Sequence, residues 1–159
     1  MDEILEILER NARASEQEIA RMLGKSVDEV RAAIKKLEED SVIVGYNALI
    51  NWEKSDRENV TALIEIKVTP QRGQGFDKVA ERIYRYPQVK DCYLMSGGFD
   101  LTVVIEGTSM KEVALFVAEK LAPLEGVLST ATHFVLKKYK DKGTVFEEKG
   151  KDDREALIL

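Results

Sequence analysis

Apolar positions in the first 40 residues recur at helical spacing in three short segments separated by turn signals. Residues 2–11 place Ile4, Leu5, Ile7 and Leu8 on one side, which predicts a short amphipathic helix. Two Ser-x-x-Glu capping boxes follow, and each predicts the start of another helix. The boxes are Ser15 to Glu18 and Ser26 to Glu29, with Gly24 ending the helix between them. The expected inward residues are Ile19, Met22 and Leu23 on the second helix and Val27, Val30, Ile34 and Leu37 on the third.

The pattern changes after the third helix. Residues 42–50 are short, apolar and interrupted by Gly45, which predicts a small hairpin. A helix followed by two capped helices, a tight Gly-containing turn and a hairpin is typical of a winged helix-turn-helix. We therefore expect residues 1–50 to form a DNA-binding domain.

The outward side of the third helix carries the candidate DNA contacts. Asp28, Arg31, Ala32 and Lys35 share one face through their i, i+3, i+4, i+7 spacing. The predicted DNA-binding residues are Lys25, Ser26, Arg31, Ala32, Lys35 and Lys36. The same face has two other interpretations, a merely solvated surface or an arm that binds protein. Residues 1–50 contain seven Lys/Arg against eleven Asp/Glu, so charge alone does not favour DNA.

From Val60 the hydrophobic period becomes two. Residues 51–59 are charged and aperiodic, which predicts a linker. Beyond it, strands at Val60–Val68, Val89–Met95, Leu101–Ile105 and Leu128–Tyr139 alternate with two helices, the second capped by Ser109. The order βαββαβ predicts a ferredoxin-like domain over residues 60–140, so the whole chain is of the α+β class. Residues 141–159 form a charged tail, predicted to be mobile.

Both helices must cover one face of this sheet. The other face then keeps Leu63, Val104, Ala131 and Val135 among polar side chains. A partly apolar sheet face predicts pairing with a second copy as a two-fold dimer.

The hairpin between the second and third strands has unusual composition at its turn. Gly97 and Gly98 permit positive φ, and Asp100 follows them at the start of the next strand. Bare amides and a carboxylate are suited to hold a small zwitterion. The alternative is that Asp100 caps its own turn and that the glycines serve only the backbone conformation.

Composition narrows the class of protein. Of the 159 residues, 44% are hydrophobic and 33% charged, and no apolar run is long enough to span a membrane. The acidic start has no signal-peptide pattern, so we expect a cytoplasmic protein. The single Cys92 and single His133 predict neither a disulfide framework nor a zinc site, and no cofactor is expected. The formal net charge of −5 argues against indiscriminate binding of polyanions.

Both halves of the chain together resemble the Lrp/AsnC family of feast/famine transcriptional regulators. The resemblance runs from residue 1 to about 140. It rests on three parts of the DNA-binding half and two of the other half. These are Gly24 to Val27 with Arg31, Ile34 to Glu39, Val42 to Tyr46, Ser96 to Leu101 as the family's Gly-x-x-Asp turn, and Thr130 to Val135. One departure is Asp40-Ser41, where the family has glycine at the end of the third helix.

The resemblance implies a regulator of transcription that is not an enzyme. It would bind double-stranded DNA, form dimers that assemble further, often to octamers, and respond to an amino acid or related metabolite. The implied effector-binding residues are Ser96, Gly97, Gly98, Asp100, Thr130 and Thr132, with the turn and the final strand coming from different subunits. An alternative of the same architecture is a siroheme decarboxylase, but its typical second-strand histidine is absent from Val89–Leu94.

Overall fold

A computed structural model describes residues 1–70 and 75–146. Most of the predicted loop between Pro70 and Gly75, and residues 147–159 of the predicted tail, lie outside the described residues. The chain divides into two compact units, Met1–Ile50 and Asn51–Leu159. No helix of the described part is long and apolar enough to cross a membrane.

The first unit contains three helices at the predicted places. They are α1 (Asp2–Arg10), α2 (Glu16–Leu23) and α3 (Val27–Glu39). Both capping boxes form, since Ser15 and Ser26 each accept from the amide three residues on, and Glu18 and Glu29 bond back to the cap. Gly24 ends α2 with φ of 64°, which allows α3 to begin almost at once.

The core of this unit forms from the inward stripes, with one exception. Its buried side chains are Ile4, Leu8, Ile19, Ala20, Val30 and Leu37. Met22 was expected among them and is instead 66% exposed. Ile19 and Leu23 lie one full turn apart and Ala20 beside Ile19, so the buried stripe of α2 runs along these three residues. Met22 lies outside that stripe.

The predicted wing hairpin over residues 42–50 does not form paired strands. The amides of Val42 and Ile43 instead both donate to the Leu37 carbonyl, at 2.9 and 3.0 Å. Tyr46 Oη donates to Glu38 Oε1 at 2.9 Å, which ties the segment to α3. A two-stranded hairpin of nine residues, with Val44 at its centre 90% exposed, has too little buried surface to hold itself together. Residues 42–50 therefore have no regular secondary structure.

The turn that ends α3 requires a left-handed residue. Ser41 occupies it with φ of 56°, while its amide donates to Glu38 O and the amide of Val42 to Leu37 O. These two bonds constitute a Schellman motif. The departure Asp40-Ser41 therefore keeps the turn geometry for which glycine is suited, at a conformational cost to serine.

We expect Ser41→Gly to raise the free energy of unfolding by about 0.5–1 kcal/mol, because glycine adopts the left-handed region without strain. Ser41→Val should lower it by about 1 kcal/mol or more, since a branched side chain is a clear outlier there. Urea denaturation followed by helical circular dichroism measures both. Equal midpoints for the two variants would contradict this account.

The second unit is an antiparallel sheet with helices on one face. Its elements are β1 (Val60–Val68), α4 (Asp77–Tyr84), β2 (Val89–Leu94), β3 (Leu101–Gly107), α5 (Met110–Phe116) and β4 (Val127–Phe134). α5 continues as a wider π turn over Val117–Leu121. The strand order β2-β3-β1-β4 confirms the predicted ferredoxin-like βαββαβ arrangement.

The last strand is shorter than predicted. β4 ends at Phe134, and one further amide, that of Val135, donates to Thr61 O at 2.9 Å. Because β1 begins at Val60, no partner strand remains beyond this point. The chain instead forms a small hairpin, β5 (Lys140–Asp141) with β6 (Thr144–Val145), where a mobile tail was expected to begin.

The sheet has one buried and one open face. Ala62, Ile64, Ile66 and Val68 of β1 are all at most 3% exposed and pack with residues of α4 and α5. Leu63 points the other way, between Val104 and His133, and is 39% exposed. The expected division of the strand residues between the two faces is confirmed, and the open face keeps apolar side chains in contact with solvent.

Candidate DNA-binding and effector sites

The outward face of α3 is exposed along its length. Arg31, Ala32, Lys35 and Lys36 are all exposed, as is Lys25 in the turn before the helix. Lys35 Nζ lies 3.7 Å from Glu39 Oε1, one turn further on. This is an exposed pair at i, i+4 spacing, which holds the lysine only weakly. The face therefore offers mobile ammonium groups to a polyanion.

Ser26 is engaged in the cap of α3. Its hydroxyl accepts from the Glu29 amide at 3.2 Å and donates to Glu29 Oε2 at 2.6 Å. These hydrogen bonds lower the pKa of the Glu29 carboxyl, the one from the Ser26 hydroxyl first. The bonds stabilise the fold only while Glu29 is ionised, so that stabilisation is lost as pH falls through the lowered pKa. The side chain that was predicted to meet DNA already has a structural role.

Arg31 is the most constrained cation of the face. Its Nε and Nη2 lie 2.9 and 2.8 Å from Glu16 Oε2 on α2, and its Nη1 lies 3.0 Å from Asp28 Oδ1. The hydrogen bond to Glu16 is the first cause of the raised pKa of Arg31. The sequence prediction missed Glu16, which lies 15 residues before Arg31 and carried no signal beyond its place in the first turn of α2.

The predicted effector turn lies between β2 and β3 and is closed by the Met95 amide, which donates to the Asp100 carbonyl at 2.7 Å. Asp100 is half-buried, and its Oδ2 accepts from the amide of Val68 at 2.8 Å. Val68 belongs to β1, where the register with β4 shifts in a bulge. The Asp100 carboxylate thus binds the neighbouring strand rather than its own turn. Neither of the two roles considered from sequence, ligand binding or capping of the turn, included this contact.

The two glycines of the turn differ. Gly97 has φ of 150°, which strains other residues. Gly98 has no positive φ, and a Cβ built on it would have no atom within 4 Å. Among the described residues, no contact and no backbone angle requires Gly98 to be glycine. Gly98 is exposed and lies two residues before Asp100.

Thr130 and Thr132 lie on β4, on the other side of β1 from the turn. Thr130 pairs with Ile66, which on its other side pairs with Leu101, the residue after Asp100. One strand therefore separates the turn from Thr130, a spacing of about 10 Å across two inter-strand steps. Thr132 pairs with Ile64, further from the turn. One chain therefore does not bring these residues together.

An open groove of about 260 Å³ lies elsewhere, on the open face of the sheet. Leu63, Glu65, Phe99, Thr102, His133, Phe134 and Val135 line it, and among the predicted effector residues none does. His133 Nε2 lies 3.6 Å from Glu65 Oε2 within it. Across residues 1–70 and 75–146, no group of three or more His, Cys, Asp or Glu is placed to hold a metal ion.

Comparisons with known proteins identify both units. The family model of the winged helix-turn-helix DNA-binding domain matches residues 3–44, and that of the Lrp/AsnC ligand binding domain matches residues 61–145. The chain is 56% identical over 157 residues to YugG, an uncharacterized HTH-type transcriptional regulator of Bacillus subtilis, covering 98% of this chain and 94% of that protein. It is 30% identical to the leucine-responsive regulatory protein of Haemophilus influenzae, covering 86% of this chain and 82% of that protein.

A solved structure of another transcriptional regulator has a similar fold. The crystal structure of a Neisseria meningitidis transcriptional regulator in complex with L-methionine superposes with a TM-score of 0.72 at 25% identity, covering 87% of this chain and 89% of that one. On the two family matches and these likenesses, the chain belongs to the Lrp/AsnC family of DNA-binding transcriptional regulators.

Proposed function

We propose that this regulator contacts double-stranded DNA through Lys25, Arg31, Ala32, Lys35 and Lys36, and that an amino acid bound near Gly98 and Asp100 controls its assembly or its DNA affinity. The observation that carries the first part is the exposed α3 face within a unit matched by a DNA-binding family model. Ser26 contributes through its cap and its backbone. The protein then works where the DNA is, in the cytoplasm.

The DNA contacts are of two kinds. Lys35 and Lys36 are point charges on flexible stems, suited to phosphates, whereas the planar fork of Arg31 is suited to a base edge. Because the unit is net acidic, affinity per subunit should be modest and strongly dependent on salt. Binding by several subunits at once raises the total affinity.

We expect Lys35→Ala with Lys36→Ala to weaken binding to all duplexes alike and to reduce the slope of log K against log salt by about 2, or about one per lost phosphate contact. Fluorescence anisotropy on genomic DNA fragments over a series of salt concentrations measures both quantities. Lys111→Ala with Lys78→Ala removes the same charge from the other unit and is the control. An unchanged slope in the α3 double variant would place the DNA surface elsewhere.

The effector class follows from the chemistry of the turn. The Asp100 carboxylate is suited to an ammonium, and the open amide of Gly98 to a carboxylate. Leu94 and Met95, exposed just before the turn, supply apolar surface for a side chain. One relative is named leucine-responsive and one related structure holds L-methionine, which supports an apolar amino acid here.

We expect L-leucine or L-methionine to raise the midpoint of thermal unfolding, with a stabilisation of about 2.7 kcal/mol at one hundred times Kd. Gly98→Val should fold with a change within about 0.5 kcal/mol, because a Cβ at this position meets no atom of the residues that the structure describes, yet lose this response. Gly45→Val is the matched control, since Gly45 also has open space and no positive φ. A response that survives Gly98→Val would move the effector site away from the turn.

The open sheet face supports a homodimer. Leu63, Val104 and the apolar wall of the groove at Phe99 and Val135 lie on it, and a second copy would remove them from water. The turn of one dimer and the Thr130 strand of another would then form a shared effector crevice, which agrees with their separation in one chain. This arrangement favours a higher oligomer, the octamer among them.

The enzyme alternative has less support. The reported relatives are named transcriptional regulators, and β2 carries no histidine. We therefore propose a regulator without catalytic activity. The third interpretation, a winged helix that binds protein, predicts no effect of the Lys35 and Lys36 substitutions on DNA binding.

A further inference from the structure

The guanidinium of Arg31 is held from two helices at once. Glu16, from the first turn of α2, engages Nε and Nη2, and Asp28, one turn earlier on α3, engages Nη1. Glu16 is partly buried while the Arg31 side chain is 54% exposed, so the fixed partner lies inward and the cation outward. The arrangement joins the two helices of the helix-turn-helix at the surface proposed to meet DNA.

A count of hydrogen-bond donors shows what this pairing leaves available. Arginine has five N–H groups, of which Nε donates to Glu16 and Nη1 to Asp28, while Nη2 lies 2.8 Å from Glu16 Oε2 as an ion pair. At least one N–H therefore remains on each of the two terminal nitrogens. Donors on these two nitrogens are what arginine uses to contact O6 and N7 of guanine, the commonest specific contact in the major groove.

The net charge of the cluster also favours contact with a base edge over contact with phosphate. Exposed ion pairs contribute little to stability, so the cluster does not exist chiefly to hold the fold. Two carboxylates around one guanidinium give the group a net charge of −1, which disfavours contact with phosphate. An uncharged base edge is not repelled by the cluster in this way. Repulsion of incorrect contacts is one source of specificity.

We infer that Arg31 reads a guanine in the operator and that Glu16 is a positioning residue that fixes the guanidinium for this contact. Asp28 assists from the same helix. Glu16 itself touches no base. The inference rests on the proposed DNA contacts of α3 and adds to them the base that is read and the residue that orients the reader.

The test begins with sequences that the wild-type protein selects from a pool of random duplexes. In the selected duplex, each G·C pair is replaced in turn by A·T, and each guanine by 7-deazaguanine, which lacks the N7 acceptor. We expect one G·C position per half-site at which A·T weakens binding by about 5- to 100-fold, and 7-deazaguanine by part of that amount, as a bidentate contact requires.

Variants assign that position. Arg31→Lys keeps the charge and loses the fork, so discrimination there should fall to about 2-fold or less while other positions keep theirs. Glu16→Gln keeps the shape and removes the charge, and we expect discrimination at that position to fall by about 3-fold or more. Glu6→Gln, which removes the same charge from α1, is the matched control and should leave discrimination unchanged. Circular dichroism verifies that each variant is folded.

The outcomes separate the two levels of the proposal. If Glu16→Gln only strengthens binding to all duplexes, as Glu6→Gln does, Glu16 merely repels phosphates and the inference is wrong. If Arg31→Lys discriminates as the wild type does, another residue reads the base. If the wild type selects no sequence and Lys35→Ala with Lys36→Ala leaves DNA binding unchanged, the proposed DNA surface fails together with this inference.

Discussion

Ile64→Ala is expected to lower the free energy of unfolding of the second unit by about 3–4 kcal/mol, the range for a fully buried isoleucine whose site cannot collapse. Ile64 is 0% exposed and lies on β1 between Val103 of β3 and Thr132 of β4. Strands on both sides hold its backbone, so the cavity left by the side chain would persist. Chemical denaturation at constant protein concentration measures this loss.

Leu63→Ala is the matched control, one residue away and facing the open side of the sheet. It removes a side chain of similar size, yet the isolated chain should lose less than about 1 kcal/mol because Leu63 is already 39% exposed. Its effect should instead depend on protein concentration, since it weakens pairing of the open faces. Sedimentation velocity should show that the variant dimer dissociates at a higher protein concentration than the wild-type dimer does. A loss that does not vary with concentration would argue against a dimer through this face.

Asp100→Ala is expected to cost about 1–3 kcal/mol and to abolish the response to amino acids. The cost arises because the Val68 amide, on a residue 3% exposed, loses the carboxylate that accepts its hydrogen bond. This variant alone does not separate a ligand role from a structural one.

Asp100→Asn separates the two roles. The amide oxygen of asparagine can still accept from Val68, so most of the stability should remain, while the negative charge that would pair an ammonium is gone. We expect a folded protein whose thermal midpoint no longer rises with L-leucine or L-methionine. Were the rise to remain with asparagine, Asp100 would be a support of the bulge at Lys67–Val68 and nothing more.

The features that local sequence predicts well are those with local causes. The capping boxes at Ser15 and Ser26 and the left-handed Gly24 depend on residues within four positions, and all formed as predicted. Alternation along β1 likewise identified the buried face, because the side-chain period of a strand is fixed by its backbone.

The features that sequence missed depend on distant partners. The end of β4 is determined by the start of β1, some seventy residues earlier. The predicted hairpin over residues 42–50 does not form, because no further described strand packs against it. The Glu16 to Arg31 and Asp100 to Val68 contacts join residues 15 and 32 positions apart. Both involve candidate site residues, whose roles stay predictions, and their supporting contacts could not be predicted from local sequence.

The position of β1 in the sheet has a consequence for how the protein folds. β1 is the first strand of its unit to be synthesised, and it pairs on one side with β4, the last of the four. That pairing has high contact order, so its loop closes late and the unit should fold slowly. The helices of the first unit contact one another over short separations and should fold early. During synthesis on the ribosome, the helix-turn-helix would therefore be folded before the residues of β4 emerge and pair with β1.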